Sequence, residues 1–242
     1  MKVFVIIPAA GLGTRMTSAP SAKGKKGAPS KQFAELGGTP ILLHTLRQFA
    51  ACPEVSEICI ALRPGEIEGF RARLEGEGPD VAQKKVHLVE GGEHRQQSVA
   101  NALAAIGAAE DDIVLVHDAV RPFVTPEIIA EVIRAAERYG AAIAALPAVD
   151  TVKQVERTSE GAIIKATIPR ERVVLAQTPQ GFRYAVLKKA FDEAAADGFT
   201  ATDEASLVEH SRHDVMVVMG SPRNIKITTP ADLELAEFYL RN

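Results

Sequence analysis

The stretch Val3 Phe4 Val5 Ile6 Ile7 Pro8 Ala9 Ala10 Gly11 Leu12 Gly13 Thr14 Arg15 Met16 decides how this chain folds. Its five opening residues are continuously apolar and mostly branched, as in a strand buried on both faces. Small residues follow at once, at the strand's carboxyl end, where open α/β sheets bind their ligands. Glycine and alanine let backbone N–H groups come close to an anion. The dinucleotide fingerprint would need a glycine where Met16 stands, and a Walker loop would need a Gly-Lys-Ser or Gly-Lys-Thr ending that is absent. Two readings remain for this loop: a phosphate cradle carrying its own Arg15, or a tight strand-to-helix turn that simply requires glycine.

Further short apolar runs extend the pattern, at residues 58–62, 86–89, 113–116, 141–146, 215–219 and 225–228. Helical patterns alternate with them. The clearest opens with Thr125 as N-cap and Pro126 as first helical residue, and stops at Gly140. Thr229 and Pro230 open another that runs to the C-terminus, a third runs from Thr39 and Pro40 to before Pro53, and a fourth covers about 97–106. Alternating strands and helices predict an α/β fold, a Rossmann-like mostly parallel sheet flanked by helices. Its 242 residues suffice for one domain spanning 1–242. Residues 151–167 break the rhythm: two extended segments around Ser159 Glu160 Gly161 read as a hairpin projecting from the body. Such a hairpin buries little by itself and calls for a partner, most simply a second subunit.

Lys and Arg total 28 against 31 Asp and Glu, a net charge of −3 that offers no global field for nucleic acid or an anionic membrane. Cys52 and Cys59 form no paired-cysteine motif and read as thiols in a reducing compartment. The apolar run after Lys2 is cut short by Gly11, Gly13 and Arg15, so it is not expected to be a secretory signal, and no span is long enough to cross a bilayer. The cytoplasm is the expected location.

Several segments carry groups suited to phosphate chemistry. Residues 17–30 are small, polar and basic without periodicity, and Lys31, just beyond them, can fold back toward the same anion as Arg15. His117 Asp118 Ala119 Val120 Arg121 Pro122 follows the run 113–116 and places a carboxylate at a second strand end. Mg2+ takes one or two carboxylates plus substrate phosphates, so Asp118 alone suffices as the protein ligand; the competing role is that of a helix cap or a partner for Arg121. Gly91 and Gly92, with Ser98, offer backbone groups and a hydroxyl able to read a nucleobase edge, or else make only a turn. His210 and His213 lack a third ligand and read as surface residues. No serine or cysteine has a nucleophile's local signature.

In this order, Pro8 to Met16, Lys31 Gln32, Gly91 Gly92 with Arg95 and Ser98, His117 to Pro122, Thr178 Pro179 Gln180, Thr202 Asp203 Glu204 Ala205 Ser206, and Asn224 Ile225 Lys226 closely resemble the 2-C-methyl-D-erythritol 4-phosphate cytidylyltransferases of the non-mevalonate isoprenoid pathway. The resemblance spans nearly the whole chain. It implies transfer of CMP from CTP to methylerythritol phosphate with release of pyrophosphate, by a homodimer joined through projecting arms, here residues 151–173. It gives Arg15 and Lys31 the role of stabilising the transition state and assigns Asp118 to magnesium. Pro8, Ala9, Ala10, Gly11, Gly13, Thr14, Gly91, Gly92, Glu93, Ser98, Asp118 and Ala119 fall on the nucleotide side. Arg121, Thr151, Arg170, Thr178, Thr202 and Lys226 fall on the acceptor side, with Arg170 and Lys226 steering the attacking phosphate and Arg170 serving the partner's site.

Two positions depart from the family pattern: Glu93 stands in place of aspartate, and the gap from Arg15 to Lys31 is long, adding Lys23, Lys25 and Lys26. The polyol-phosphate cytidylyltransferases, such as those acting on ribitol phosphate, share much of the motif set. An NAD-binding oxidoreductase is a remoter alternative, against which the missing third glycine counts.

Overall fold

The computed structural model describes residues 1–11 and 30–241. In chain order the strands are β1 (Val3–Pro8), β2 (Glu35–Leu36), β3 (Thr39–Pro40), β4 (Glu57–Leu62), β5 (Lys85–Glu90), β6 (Ile113–Val116), β7 (Ala141–Pro147), β8 (Val152–Thr158), β9 (Gly161–Ile168), β10 (Val174–Arg183) and β11 (Met216–Met219). The helices are α1 (Ile41–Ala50), α2 (Pro64–Leu74), α3 (Pro79–Ala82), α4 (Arg95–Ala105), α5 (Pro126–Tyr139), α6 (Tyr184–Asp197), α7 (Glu204–His210) and α8 (Pro230–Arg241), with 3-10 turns at Lys31–Phe33 and Arg170–Arg172.

Among the described residues the main sheet runs β11-β7-β10-β6-β1-β4-β5. β1 pairs in parallel with β4 on one side and β6 on the other. The chain therefore moves outward through β4 and β5 and then returns across β1 to β6. This reversal of strand order opens a crevice at the carboxyl ends of β1 and β6, the place where doubly wound sheets bind ligands.

β1 alternates its side chains between two cores. Val3, Val5 and Ile7 join α1, α5 and Phe70 of α2 on one face. Phe4 and Ile6 join α4, α6 and α7 on the other. Burying both faces explains why β1 is apolar at every position. α5 has the expected boundaries: the Thr125 hydroxyl accepts from the Ile128 N–H, and Gly140, at φ 87°, ends the helix in a conformation that disfavours a side chain. α8 opens with a reciprocal cap, the Asp232 N–H donating to the Thr229 hydroxyl while the Asp232 carboxylate accepts from the Thr228 and Thr229 N–H groups.

Three expectations are corrected. Residues 225–228 form no strand. Their apolar character serves a small cluster in which Ile227 packs with Leu36, Ile41, Val120 and Ala236, held by one backbone bond from the Ile227 N–H to the Val120 carbonyl at 2.9 Å. Thr39 and Pro40 are not helical, because they pair with β2, and α1 begins at Ile41. The sheet also contains β10, antiparallel to both β6 and β7, over a segment with no strand signature of its own. Pro179 is tolerated there because the register against β7 shifts between Ala176 and Gln180.

The hairpin appears as β8 and β9, paired from Val152 with Ile168 to Thr158 with Gly161. It is solvent-exposed along its length, with Val155, Ile163 and Ile164 about half accessible, as are Val174 and Leu175 on the return. His210 stacks on Phe199 and bonds Asp197 at 2.8 Å, a packing role consistent with a surface histidine. Cys52 and Cys59 are free and buried.

Candidate active site

The loops after β1, β5 and β6 surround a cleft of about 190 Å³. Pro8, Ala9, Ala10 and Gly11 form one wall, Gly92, Glu93 and Ser98 a second, and Asp118 with Ala119 a third, while Lys31 and Lys226 also reach it. The Gln32 side-chain amide donates to the Ala9 carbonyl, so the turn Lys31–Phe33 is fastened to the end of β1. A side chain at Gly91 would collide with Ala10, which makes glycine the residue that lets the two loops approach. Ser98 braces this turn: its hydroxyl accepts from the Gly92 N–H at 3.1 Å and donates to the His94 carbonyl at 3.0 Å.

A smaller cavity of about 90 Å³ adjoins the cleft and contains Arg121, Thr178 and Thr202. Asp118, Arg95 and Lys226 line both. Asp118 Oδ2 lies 3.0 Å from Lys226 Nζ and accepts from Arg121 Nε at 3.0 Å, while Arg95 Nε stands 3.5 Å from Oδ1. Burial alone would raise the Asp118 carboxyl, but Lys226, Arg95 and Arg121 outweigh it and hold the group well below the usual carboxylate range. Arg95 is fixed in turn by two bonds to the fully buried Glu204, at 2.7 and 2.8 Å. Both bonds come from Nη1, so Glu204 anchors that end of the guanidinium and leaves Nε directed at Asp118.

Thr178 ties β10 to the site. Its hydroxyl accepts from the Asp118 N–H at 3.0 Å and donates to His117 Nδ1 at 3.1 Å. His117 Nε2 faces the Arg121 carbonyl at 3.0 Å, so the proton resides on Nε2. Burial pushes the His117 pKa down to about 4. The ring is therefore neutral and structural, and the Thr178 hydroxyl holds it while Thr178 also lines the smaller cavity. Asn224 closes this corner: its side-chain amide donates to the Thr178 carbonyl at 2.8 Å and its backbone carbonyl accepts from Arg121 Nη1 at 2.7 Å.

Most residues singled out from the sequence thus come together. Gly91 lines an open pocket beside the cleft, with Ala10, Gly92 and Glu93. Thr151 and Arg170 line neither cavity: they belong to the hairpin, where Arg170 Nη1 donates to the Val149 carbonyl at 2.8 Å. Gly13, Thr14 and Arg15, with the lysines at 23, 25 and 26, lie outside the described residues. Asp118 does pair with Arg121, the role that competed with cation binding, and it faces the cleft as well. Sequence reasoning missed the part played by Glu204 because its partner Arg95 is 109 residues away. Its place in the quoted motif beside Thr202 and Asp203 was the available signal, and its burial shows only in the fold.

Among the described residues no three His, Cys, Asp or Glu side chains gather around a metal position. A cation at this site would take Asp118 and complete its shell with substrate phosphates and water. That donor set suits Mg2+, which keeps several waters and needs few protein oxygens. The residues present therefore fit it.

Comparison with known proteins agrees with the geometry. The family model described as "IspD: 2-C-methyl-D-erythritol 4-phosphate cytidylyltransferase" matches residues 3–242. A 2-C-methyl-D-erythritol 4-phosphate cytidylyltransferase of Acidobacterium capsulatum is 60% identical over 241 residues, covering 100% of this chain and 98% of the relative, and one from Solibacter usitatus is 51% identical, covering 100% and 96%. The crystal structure of the Thermus thermophilus enzyme of that name superposes with a TM-score of 0.76 at 36% identity, covering both chains completely. The 4-diphosphocytidyl-2C-methyl-D-erythritol synthase of Anaerococcus prevotii gives 0.81 at 30% identity, covering 100% of this chain and 99% of that one. With a match over nearly its entire length and a switch-point cleft built from the motifs that define the resemblance, the chain belongs to the 2-C-methyl-D-erythritol 4-phosphate cytidylyltransferase family.

Proposed function

We propose that this site transfers the cytidylyl group of CTP to 2-C-methyl-D-erythritol 4-phosphate, releasing pyrophosphate, in the non-mevalonate route to isoprenoid precursors. The observation that carries this reading is the shared wall of Asp118, Arg95 and Lys226 between two cavities, which sets a nucleotide and a second anion side by side. CTP occupies the larger cleft, with cytidine toward Ala10, Gly92, Glu93 and Ser98. The acceptor phosphate lies toward Arg121, Thr178, Thr202 and Lys226.

The chemistry needs no general base. A phosphate monoester has a second pKa of about 6, so the acceptor is mostly a dianion at neutral pH. His117, the histidine nearest Asp118 in sequence, is held neutral with both nitrogens engaged. The barrier is electrostatic, one anion attacking another in line, and is lowered by fixed cations and alignment. Arg15 and Lys31 stabilise the charge that develops at the α-phosphorus. Lys226 orients the attacking phosphate, and its pairing with Asp118 keeps it extended toward the cleft. Asp118 would hold a magnesium ion, which would supply further neutralisation of phosphate charge.

A homodimer in the cytoplasm completes the reading. Thr151 and Arg170 lie on a hairpin whose exposed Val155, Ile163 and Ile164 favour burial against a second subunit, and Arg170 there serves the partner's acceptor cavity. Among the described residues no helix is long and apolar enough to cross a membrane.

Pyrophosphate release is measured with CTP, UTP or ATP against methylerythritol phosphate or ribitol phosphate, with magnesium and with EDTA. Release confined to CTP, methylerythritol phosphate and magnesium is the expected result. Preference for ribitol phosphate would move the protein to polyol activation, and undiminished release in EDTA would remove the metal.

A further inference from the structure

Arg63 is absent from every motif above, yet it ends β4 at the same rim of the sheet and caps α2. Its guanidinium donates twice to the loop after β1, from Nε to the Ala10 carbonyl at 3.0 Å and from Nη2 to the Gly11 carbonyl at 2.9 Å. A trans peptide is planar with its C=O and N–H on opposite sides, so fixing a carbonyl also aims the following amide. Arg63 draws the Ala10 carbonyl to itself and thereby turns the Gly11 N–H away. Gln32, through the Ala9 carbonyl, does the same for the Ala10 N–H. Ala10 and Gly11 both line the cleft.

One turn further along α2, Glu66 accepts a hydrogen bond from the Ser30 hydroxyl at 2.8 Å. Ser30 is buried and immediately precedes Lys31. Residues three apart on a helix share a face. The first turn of α2 thus grips two borders of the cleft, residues 10–11 through a cation and residues 30–31 through a carboxylate.

We propose that Arg63 and Glu66 are positioning residues for the nucleotide: Arg63 aims the backbone amide of Gly11, and Glu66 sets the approach of Lys31. This rests on the reading of the cleft as the CTP site. Neither residue touches the reacting atoms: the effect of Arg63 falls on CTP binding, that of Glu66 on turnover through Lys31, and neither on the acceptor.

The test compares Arg63→Ala, Arg63→Lys, Glu66→Ala and Glu66→Gln with wild type in steady-state pyrophosphate release, CTP calorimetry without acceptor, and thermal unfolding. Loss of two charge-assisted bonds predicts a rise of about tenfold in KM and Kd for CTP in Arg63→Ala, with KM for methylerythritol phosphate within twofold. Arg63→Lys, whose single ammonium nitrogen does not reproduce the two separately placed donors Nε and Nη2, falls between. Glu66→Ala lowers kcat severalfold through Lys31, and Glu66→Gln, which still accepts from Ser30, restores it. CTP affinity and turnover unchanged in both alanine variants would overturn the proposal, as would losses shared equally by both substrates and accompanied by a lowered unfolding temperature. If wild type binds CTP but turns over no acceptor, the reaction assigned above fails while the calorimetric comparison still decides the role of Arg63. A wild-type chain that binds no CTP overturns both.

Discussion

Lys226 Nζ stands 3.0 Å from Asp118 Oδ2, joining the last motif of the chain to the loop after β6. Arg121 and Arg95 converge on the same carboxylate. Removing its charge leaves three cations facing one another, of which Arg121 is buried. Asp118→Ala is expected to cost about 3 kcal/mol in urea unfolding, near the lower end for breaking a buried ion pair because Lys226 is partly solvated. Asp118→Asn keeps an acceptor for Arg121 and costs less, while both variants lose magnesium-dependent turnover. An alanine variant as stable as wild type would contradict the pairing.

Lys31→Ala and Arg15→Ala should lower kcat by a hundredfold or so while changing KM for CTP only a few-fold, as for contacts made chiefly in the transition state. Steady-state kinetics with saturating acceptor separate the two quantities. Equal losses in both would reassign these residues to ground-state binding.

Arg170→Ala and Lys31→Ala subunits, each inactive alone, should regain activity when mixed and allowed to exchange, since one of the two sites in a heterodimer would then hold both wild-type residues. Native mass spectrometry establishes that exchange has occurred. Exchange without recovery would mean that Arg170 serves its own subunit.

His117 should not titrate near neutrality. Its ring resonances are expected to stay constant from pH 8 to 5 and to show the Nε2–H tautomer. Between its ordinary value near 6.5 and about 4, the unfolded chain binds a proton that the native chain does not. Stability from this group is therefore complete above pH 6.5 and falls as the pH drops toward 4, by about 3 kcal/mol in all. A midpoint close to 6.5 in the folded protein would disprove the buried neutral state.

Neither thiol should react with a disulfide reagent in the native protein. Burial pushes Cys59 up to about 12, and burial with the neighbouring Glu54 carboxylate takes Cys52 up to about 11. Little thiolate exists at pH 8, and both groups are enclosed. Two equivalents should appear only on unfolding; rapid native labelling would show that one of them is reachable.

The parts of the fold that were legible in the sequence owe this to burial on both faces. β1, β4 and β6 are apolar at nearly every position because helices cover each side of the sheet, and α5 is legible because its cap, its apolar stripe and its terminal glycine agree. β10 was illegible because Thr178 Pro179 Gln180 Gly181 carries turn chemistry, although neighbouring strands and a register shift impose extension on it. Residues 225–228 misled for the opposite reason, being apolar for a local cluster outside the sheet. α2 escaped notice because Phe70 is its one fully buried side chain and two glycines interrupt it. At the site, contiguous motifs were readable, while Arg63 and the Arg95–Glu204 ion pair depend on pairings 52 to 109 residues apart that no local pattern encodes.

β10 is exposed at residues 174–176 and buried from Gln177 onward, so one continuous strand leaves the hairpin, passes the acceptor cavity and ends in the core beside β6. Its irregularity falls between Ala176 and Gln180, at the level of Thr178. The backbone that leaves the hairpin is thus the same backbone that lines the smaller cavity at Ala176, Gln177, Thr178 and Gln180, so a displacement of the hairpin would reach that cavity through one unbroken stretch of chain.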